Sequence, residues 1–180
     1  MKKLLTLLLV AVLLLPTLAL AEGTNEITFD ENSIANVDGE FYPLDDFELM
    51  FFLPSVLVQG EVTDDMAAQN VYAVFTTAEG YTMSIGYGPA VDGDGNAIDN
   101  IEDLCAYFVS NGLTNASVGV INGFKCIAWS DEESNLMGTV YLTEANNQLA
   151  FNFTPANDET FNSVAALVIT SVMPLEYAEE

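Results

Sequence analysis

The apolar residues of this chain fall in short runs with a period of two, separated by turn-forming pairs. Phe47, Leu49, Phe51 and Leu53 share one side of an extended segment, as do Tyr81, Met83, Ile85 and Tyr87, and as do Leu149, Phe151 and Phe153. Successive side chains of a strand point to opposite faces, so such rows are the core-facing sides of a sheet. Asp38-Gly39 separates Ile34 to Val37 from Phe41 to Leu44, and Asn122-Gly123 separates Ser117 to Ile121 from Phe124 to Trp129. These pairs tolerate the positive φ of a tight hairpin turn. Glu79-Gly80 and Asn146-Asn147 mark two further hairpins. Met50 and Phe52 lie opposite the first row and are apolar too, so part of the sheet is expected to be covered on both faces.

Two segments follow a helical period instead. Ile101, Leu104, Cys105 and Phe108 form one stripe, introduced by Asp99 with Glu102 three residues on and stopped by Asn111-Gly112. Phe161, Val164, Ala165, Val168 and Val172 form the other, opened by Asn157, Asp158 and Glu159 and closed by Pro174. The order is several strands, a helix, a run of three or four antiparallel strands and a closing helix. That order predicts an α+β fold, an antiparallel sheet flanked by helices.

The likeness to a known family rests on a few segments. Phe47-Glu48-Leu49 running into Phe52-Leu53-Pro54-Ser55, the Ile121-Asn122-Gly123 turn, and Tyr141 to Thr154 followed by a helix ending Thr170-Ser171-Val172 together resemble the PsbP-like domains. These are named after an extrinsic subunit of photosystem II and are also seen in small exported bacterial proteins. The resemblance spans roughly Phe41 to Leu175. It implies an α/β sandwich and a role in binding or assembly rather than catalysis. The basic surface of photosystem-docking members has no counterpart here, so a photosynthetic role is not implied.

The amino terminus reads as a bacterial secretory signal. Lys2 and Lys3 precede the apolar run Leu4 to Leu15, and Ala19-Leu20-Ala21 offers small residues for cleavage after Ala21. The run is shorter than the roughly 20 residues of a spanning helix, and Pro16 interrupts it. Residues 22–180 are then expected to form one extracytoplasmic domain.

That domain keeps a single basic side chain, Lys125, against 27 acidic ones, a formal charge of −26. Such a surface repels phosphate backbones and anionic lipids, which argues against nucleic acid or bare membrane as partner. It attracts cations, basic peptides or other cationic partners.

Chemistry has few footholds. The chain contains no histidine and no arginine, so the usual general base, the Ser/His and Cys/His pairings and the bidentate anion clamp are all missing. No catalytic or cofactor-binding residue is assigned. The expectation is a non-catalytic binding or accessory module. The alternatives are a hydrolase working through paired carboxylates, as in glycoside cleavage, and a calcium-stabilised envelope protein.

The calcium alternative rests on the stretch from Asp92 to Asp103. Asp92, Asp94 and Asn96 occupy positions one, three and five of a twelve-residue loop ending at Asp103, with Asp99 between. Position six is Ala97 where glycine is needed, and Asp103 stands in place of the longer bidentate glutamate. The competing reading, a polar turn feeding the helix that Asp99 caps, is preferred. Cys105 and Cys126, an even pair in an exported chain, allow either a disulfide or two buried thiols. Tyr42, Tyr72, Tyr107 and Trp129 read either as a carbohydrate or peptide platform or as core, and core is preferred.

Overall fold

The computed structural model of the protein describes residues 26–113 and 115–175; the signal reading lies outside them. The chain order is β1 (Glu26–Ile27), β2 (Gly39–Leu44), β3 (Leu49–Pro54), β4 (Val58–Gln59), α1 (Asp64–Ala68), β5 (Val71–Thr76), β6 (Thr82–Pro89), α2 (Ile101–Ser110), β7 (Ser117–Ile121), β8 (Phe124–Asp131), β9 (Leu136–Leu142), β10 (Asn147–Thr154), α3 (Glu159–Thr170) and β11 (Met173–Pro174). An eight-stranded sheet runs β1-β7-β8-β9-β10-β6-β5-β4, antiparallel except for the parallel β1–β7 pair. A separate three-stranded sheet runs β11-β3-β2.

The period-two rows face one core. Met83, Ile85, Leu149, Phe151 and Phe153 of the large sheet meet Phe161, Ala165, Val168 and Ile169 of α3 and Phe51 and Leu53 of the small sheet. Phe151 lies edge-on to Phe51 and Tyr141, with ring centroids 5.6 and 6.0 Å apart. Each such pair adds about 0.5–1.5 kcal/mol beyond the area it buries. The other face of the sheet carries a second cluster, in which Ile127 and Val140 meet Ile101, Leu104 and Cys105 of α2. The sheet is therefore sandwiched between α2 on one side and α3 with the small sheet on the other. Met50 and Phe52 are buried along with Phe51 and Leu53, as expected of a strand covered on both faces.

Three hairpins form where the turn pairs stand. Asn122 and Gly123 both take positive φ (48° and 82°), and Ile121 pairs directly with Phe124. Gly80 (φ 86°) turns β5 into β6, and Asn146 (φ 55°) turns β9 into β10. Asp38-Gly39 does not form a hairpin. Residues Glu31–Ser33 form a 3₁₀ turn, and Gly39 instead opens β2, which pairs with β3 from Gly39↔Pro54 to Leu44↔Leu49. That hairpin is closed by Asp45–Phe47 with Glu48 in the left-handed region.

The α2 cap sits one residue beyond the expected one, and the α3 cap is one of the acids named for it. Asn100, rather than Asp99, caps α2 by accepting from the Asp103 N–H. Asp158 caps α3 by accepting from Phe161 N–H at 2.8 Å. At the far end of α3, the buried Ser171 hydroxyl donates to Val168 O and accepts from Phe52 N–H at 2.9 Å, tying helix to small sheet.

Candidate functional site

β7 ends before β8 does. Their pairing stops at Ser117↔Ala128, whereas β8 continues through Trp129, Ser130 and Asp131 against β9. Among the described residues, no strand pairs with the outer side of Trp129–Asp131.

A half-enclosed cavity of about 350 Å³ opens beside this free strand end. Ser130, Met137 and Thr139 line it from the strands, and Asn162 and Ile169 from α3. These two helix positions are seven apart and so share one face. Trp129 and Gly138, which oppose each other in the β8–β9 ladder, also line it, so the cavity wraps around the strand end. The Trp129 indole lies over Gly138, where an added Cβ would meet ring atoms at 3.0 Å. Asn162 donates its amide to Ala156 O, and its Oδ1 is enclosed with no hydrogen-bond partner among the described residues. Both the volume and this mixture of apolar walls with a few polar groups suit a small binding site.

Asp131 and Glu132 supply the acidic rim. Asp131 is also part of the β8–β9 turn. Its carboxylate accepts from Ser134 and from Glu133 N–H, which holds its pKa below the usual carboxylate range. It stays ionised through neutral pH.

The carboxylates with shifted pKa move away from what acid catalysis needs. Asp92, Glu102 and Asp158, like Asp131, are pulled down, chiefly by hydrogen bonds from Asn96, from Lys125 and from Phe161 N–H respectively. A general acid needs a raised value.

The Asp92 stretch folds as a turn. Asp92 Oδ1 accepts from Asp94 and Asn96 N–H at 2.9 and 2.8 Å, and the Asn96 side-chain amide donates to both carboxylate oxygens. Gly95 takes φ 85°, and Val91 bridges Ala97. Asp99 accepts instead from the Asn146 amide, and Asp103 from that of Asn100. The Asp92, Asp99 and Asp103 carboxylates are thus each held by a different asparagine, and among the described residues no group of three or more His, Cys, Asp or Glu could hold a metal ion. At equal ionic strength, calcium and magnesium are expected to raise the melting midpoint by the same amount. A rise specific to calcium would contradict this geometry.

The cysteines are free and buried, on opposite faces of the sheet. Cys105 packs with α2, whereas Cys126 points into the α3 core beside Tyr141. A disulfide is excluded, because alternation along β8 turns Cys126 away from the α2 side. Burial pushes the Cys126 thiol up to about 12 and also raises Cys105, with the Glu102 charge adding to it. Reductant is expected to leave the melting midpoint unchanged, and thiol reagents to label only as fast as the protein opens. A bridge would contribute about 3 kcal/mol, so a drop of several degrees on reduction would contradict the assignment.

Of the four candidate platform aromatics, Tyr42 packs on the α3-side core, and Tyr107 and Trp129 pack on the α2-side cluster. Tyr72 alone is exposed, its hydroxyl donating to Asp46 at 3.1 Å. Val37, Phe41, Val56 and Val58 are exposed as well. Lys125, the cation among the described residues, is paired with Glu102 at 2.6 Å on the surface.

The fold places the protein in a class. No protein-family model and no curated protein sequence matches the chain. Among solved structures, cyanobacterial PsbP (CyanoP) from Synechocystis sp. PCC 6803 superposes with a TM-score of 0.53, covering 81% of this chain and 98% of that one at 17% identity. The fold is PsbP-like. The Ran-binding protein Mog1p of Saccharomyces cerevisiae (TM-score 0.44, 10% identity, covering 79% of this chain and 98% of that one) is more distant. So is a Bacteroides thetaiotaomicron protein (0.48, 16% identity, 79% of this chain and 51% of that one).

Proposed function

We propose that the protein is an exported, non-catalytic binding module of PsbP-like fold, and that the cavity beside β8 is where it holds its partner. The observation that carries this reading is the free end of β8, where a half-enclosed cavity, unpaired strand edge and acidic rim coincide. Export rests on the Lys2-Lys3 and Leu4 to Leu15 pattern. The absence of histidine and arginine from the sequence, and the lowered pKa of the four shifted carboxylates, support binding over hydrolysis.

A chemically mixed panel of peptides and oligosaccharides, screened by amide chemical-shift mapping, tests it. The expected result is a ligand that moves resonances of Trp129, Met137 and Asn162 and is recovered intact. A panel that leaves those resonances still, or a ligand that binds and is cleaved, would overturn the reading.

A further inference from the structure

We propose that the groove's occupant is an extended basic segment of a partner polypeptide, which adds as a short strand to the free edge of Trp129–Asp131. This rests on the groove being the binding site and names the class of ligand.

The backbone argues for an extended peptide. β8 is paired on both sides up to Ala128 and on the β9 side alone beyond it, because β7 begins only at Ser117. An edge presents unpaired N–H and C=O groups that an incoming strand can satisfy, while alternate side chains enter pockets beside it. The cavity that adjoins this edge, at about 350 Å³, is at the small end of ligand pockets and suits one or two side chains.

Charge argues for a basic one. Asp131 and Glu132 stand at the rim, Asp131 is kept ionised by its turn contacts, and Asp158 and Glu159 open α3 a few residues beyond Ala156, another lining residue. Lys125 is engaged by Glu102, so an incoming lysine or arginine meets carboxylates at the groove. The whole surface favours approach of cations, and the rim fixes where they dock. An acidic segment would face the same groups with the opposite sign.

The test uses three hexapeptides, acetylated and amidated, in about 0.15 M salt so that diffuse attraction is screened. One alternates lysine with valine, the second has glutamate for lysine, and the third repeats the first with alternate backbone nitrogens methylated. The lysine peptide is expected to bind at one site and move the amides of Ala128 to Asp131, Met137 and Asn162. The glutamate peptide is expected to leave them unmoved, and the methylated peptide to bind about tenfold more weakly for want of strand hydrogen bonds. Glu132→Lys, on an exposed side chain, is expected to weaken the lysine peptide about tenfold. Ala156→Phe, which fills the cavity, is expected to abolish binding with the circular dichroism unchanged; should that variant unfold, Glu132→Lys decides. Shifts scattered over the acidic surface and indifferent to Glu132→Lys would overturn the proposal. So would equal binding of the glutamate or methylated peptide at the groove, which would leave the binding-module reading standing. If neither these peptides nor the wider panel reached the groove, both would fall.

Discussion

Gly138→Ala is expected to destabilise the protein by about 3 kcal/mol, the upper end of what overpacking a filled interior costs. Gly138 lies in β9 between Trp129 of β8 and Asn152 of β10. A Cβ built there would press into the Phe151 carbonyl oxygen closer than real contacts allow, with the Trp129 ring on its other side at 3.0 Å. The carbonyl belongs to the sheet backbone and cannot swing aside, so β9 and β10 must part or the indole must leave. Urea unfolding measures the loss, which corresponds to a fall in midpoint of roughly 10 °C. Emission from Trp129, the single tryptophan, is expected to shift as the ring is displaced. Gly119→Ala is the control: it is also a strand glycine, but an added Cβ there meets nothing within 4 Å, so little change is expected. Equal stability of the two variants would show that the Gly138 contact is relaxed at no cost.

Removing the side chain of Asn122 is expected to cost about as much for a different reason. Its turn conformation is shared with Gly123, but its side chain makes three long-range bonds. Oδ1 accepts from Phe29 N–H at 2.7 Å, and Nδ2 donates to Thr170 O and Val172 O, each at 2.8 Å. One amide thereby joins the chain after β1, the β7–β8 turn and the last turn of α3. Asn122→Gly keeps the left-handed backbone and removes the clamp together with the Cβ that asparagine carries there; about 3 kcal/mol is expected for three partners left in a partly buried site. Asn122→Ala loses the same bonds but retains a Cβ at φ 48°, and is expected to be roughly 1–2 kcal/mol less stable than the glycine variant. Because α3 forms one wall of the groove, these variants should also weaken whatever the groove binds. Unfolding of the two variants side by side gives both numbers, and identical values would show that the backbone term is absent.

The core was readable because its signal is local. Rows such as Leu149, Phe151 and Phe153 reveal a face without any knowledge of what covers it, and Asn122-Gly123 states its turn in two residues. What escaped was non-local or too short for a period. Asp38-Gly39 has the composition of a hairpin, but the residues before it are held in turns, and the partner of β2 lies after it. α1 spans five residues, capped by Thr63, which offers no stripe to detect. The small sheet gains its third strand only when β11 returns after α3 to pair with β3, and no alternation announces that.

The candidate site was less legible still. Asp92, Asp94, Asn96, Asp99 and Asp103 have calcium-loop spacing, but only the fold reveals that the carboxylates of Asp92, Asp99 and Asp103 are engaged by Asn96, Asn146 and Asn100 respectively. The same holds for the thiols, whose separation by a sheet layer is invisible in their spacing. Trp129 reads as core in the sequence and does pack there, yet it also lines the groove because the β7 pairing ends short of it. The early end of β7 is where a sequence reading could have looked: Asn111-Gly112 stops α2, and the strand resumes only at Ser117.

The most direct test of the account is the ¹⁹F spectrum of the protein with 5-fluorotryptophan at its single tryptophan position, titrated with the lysine–valine hexapeptide. A saturable shift of the Trp129 resonance, lost in Ala156→Phe and absent with the glutamate peptide, is the predicted result. A resonance that stays fixed while the peptide demonstrably binds elsewhere would contradict the claim that this groove is the site.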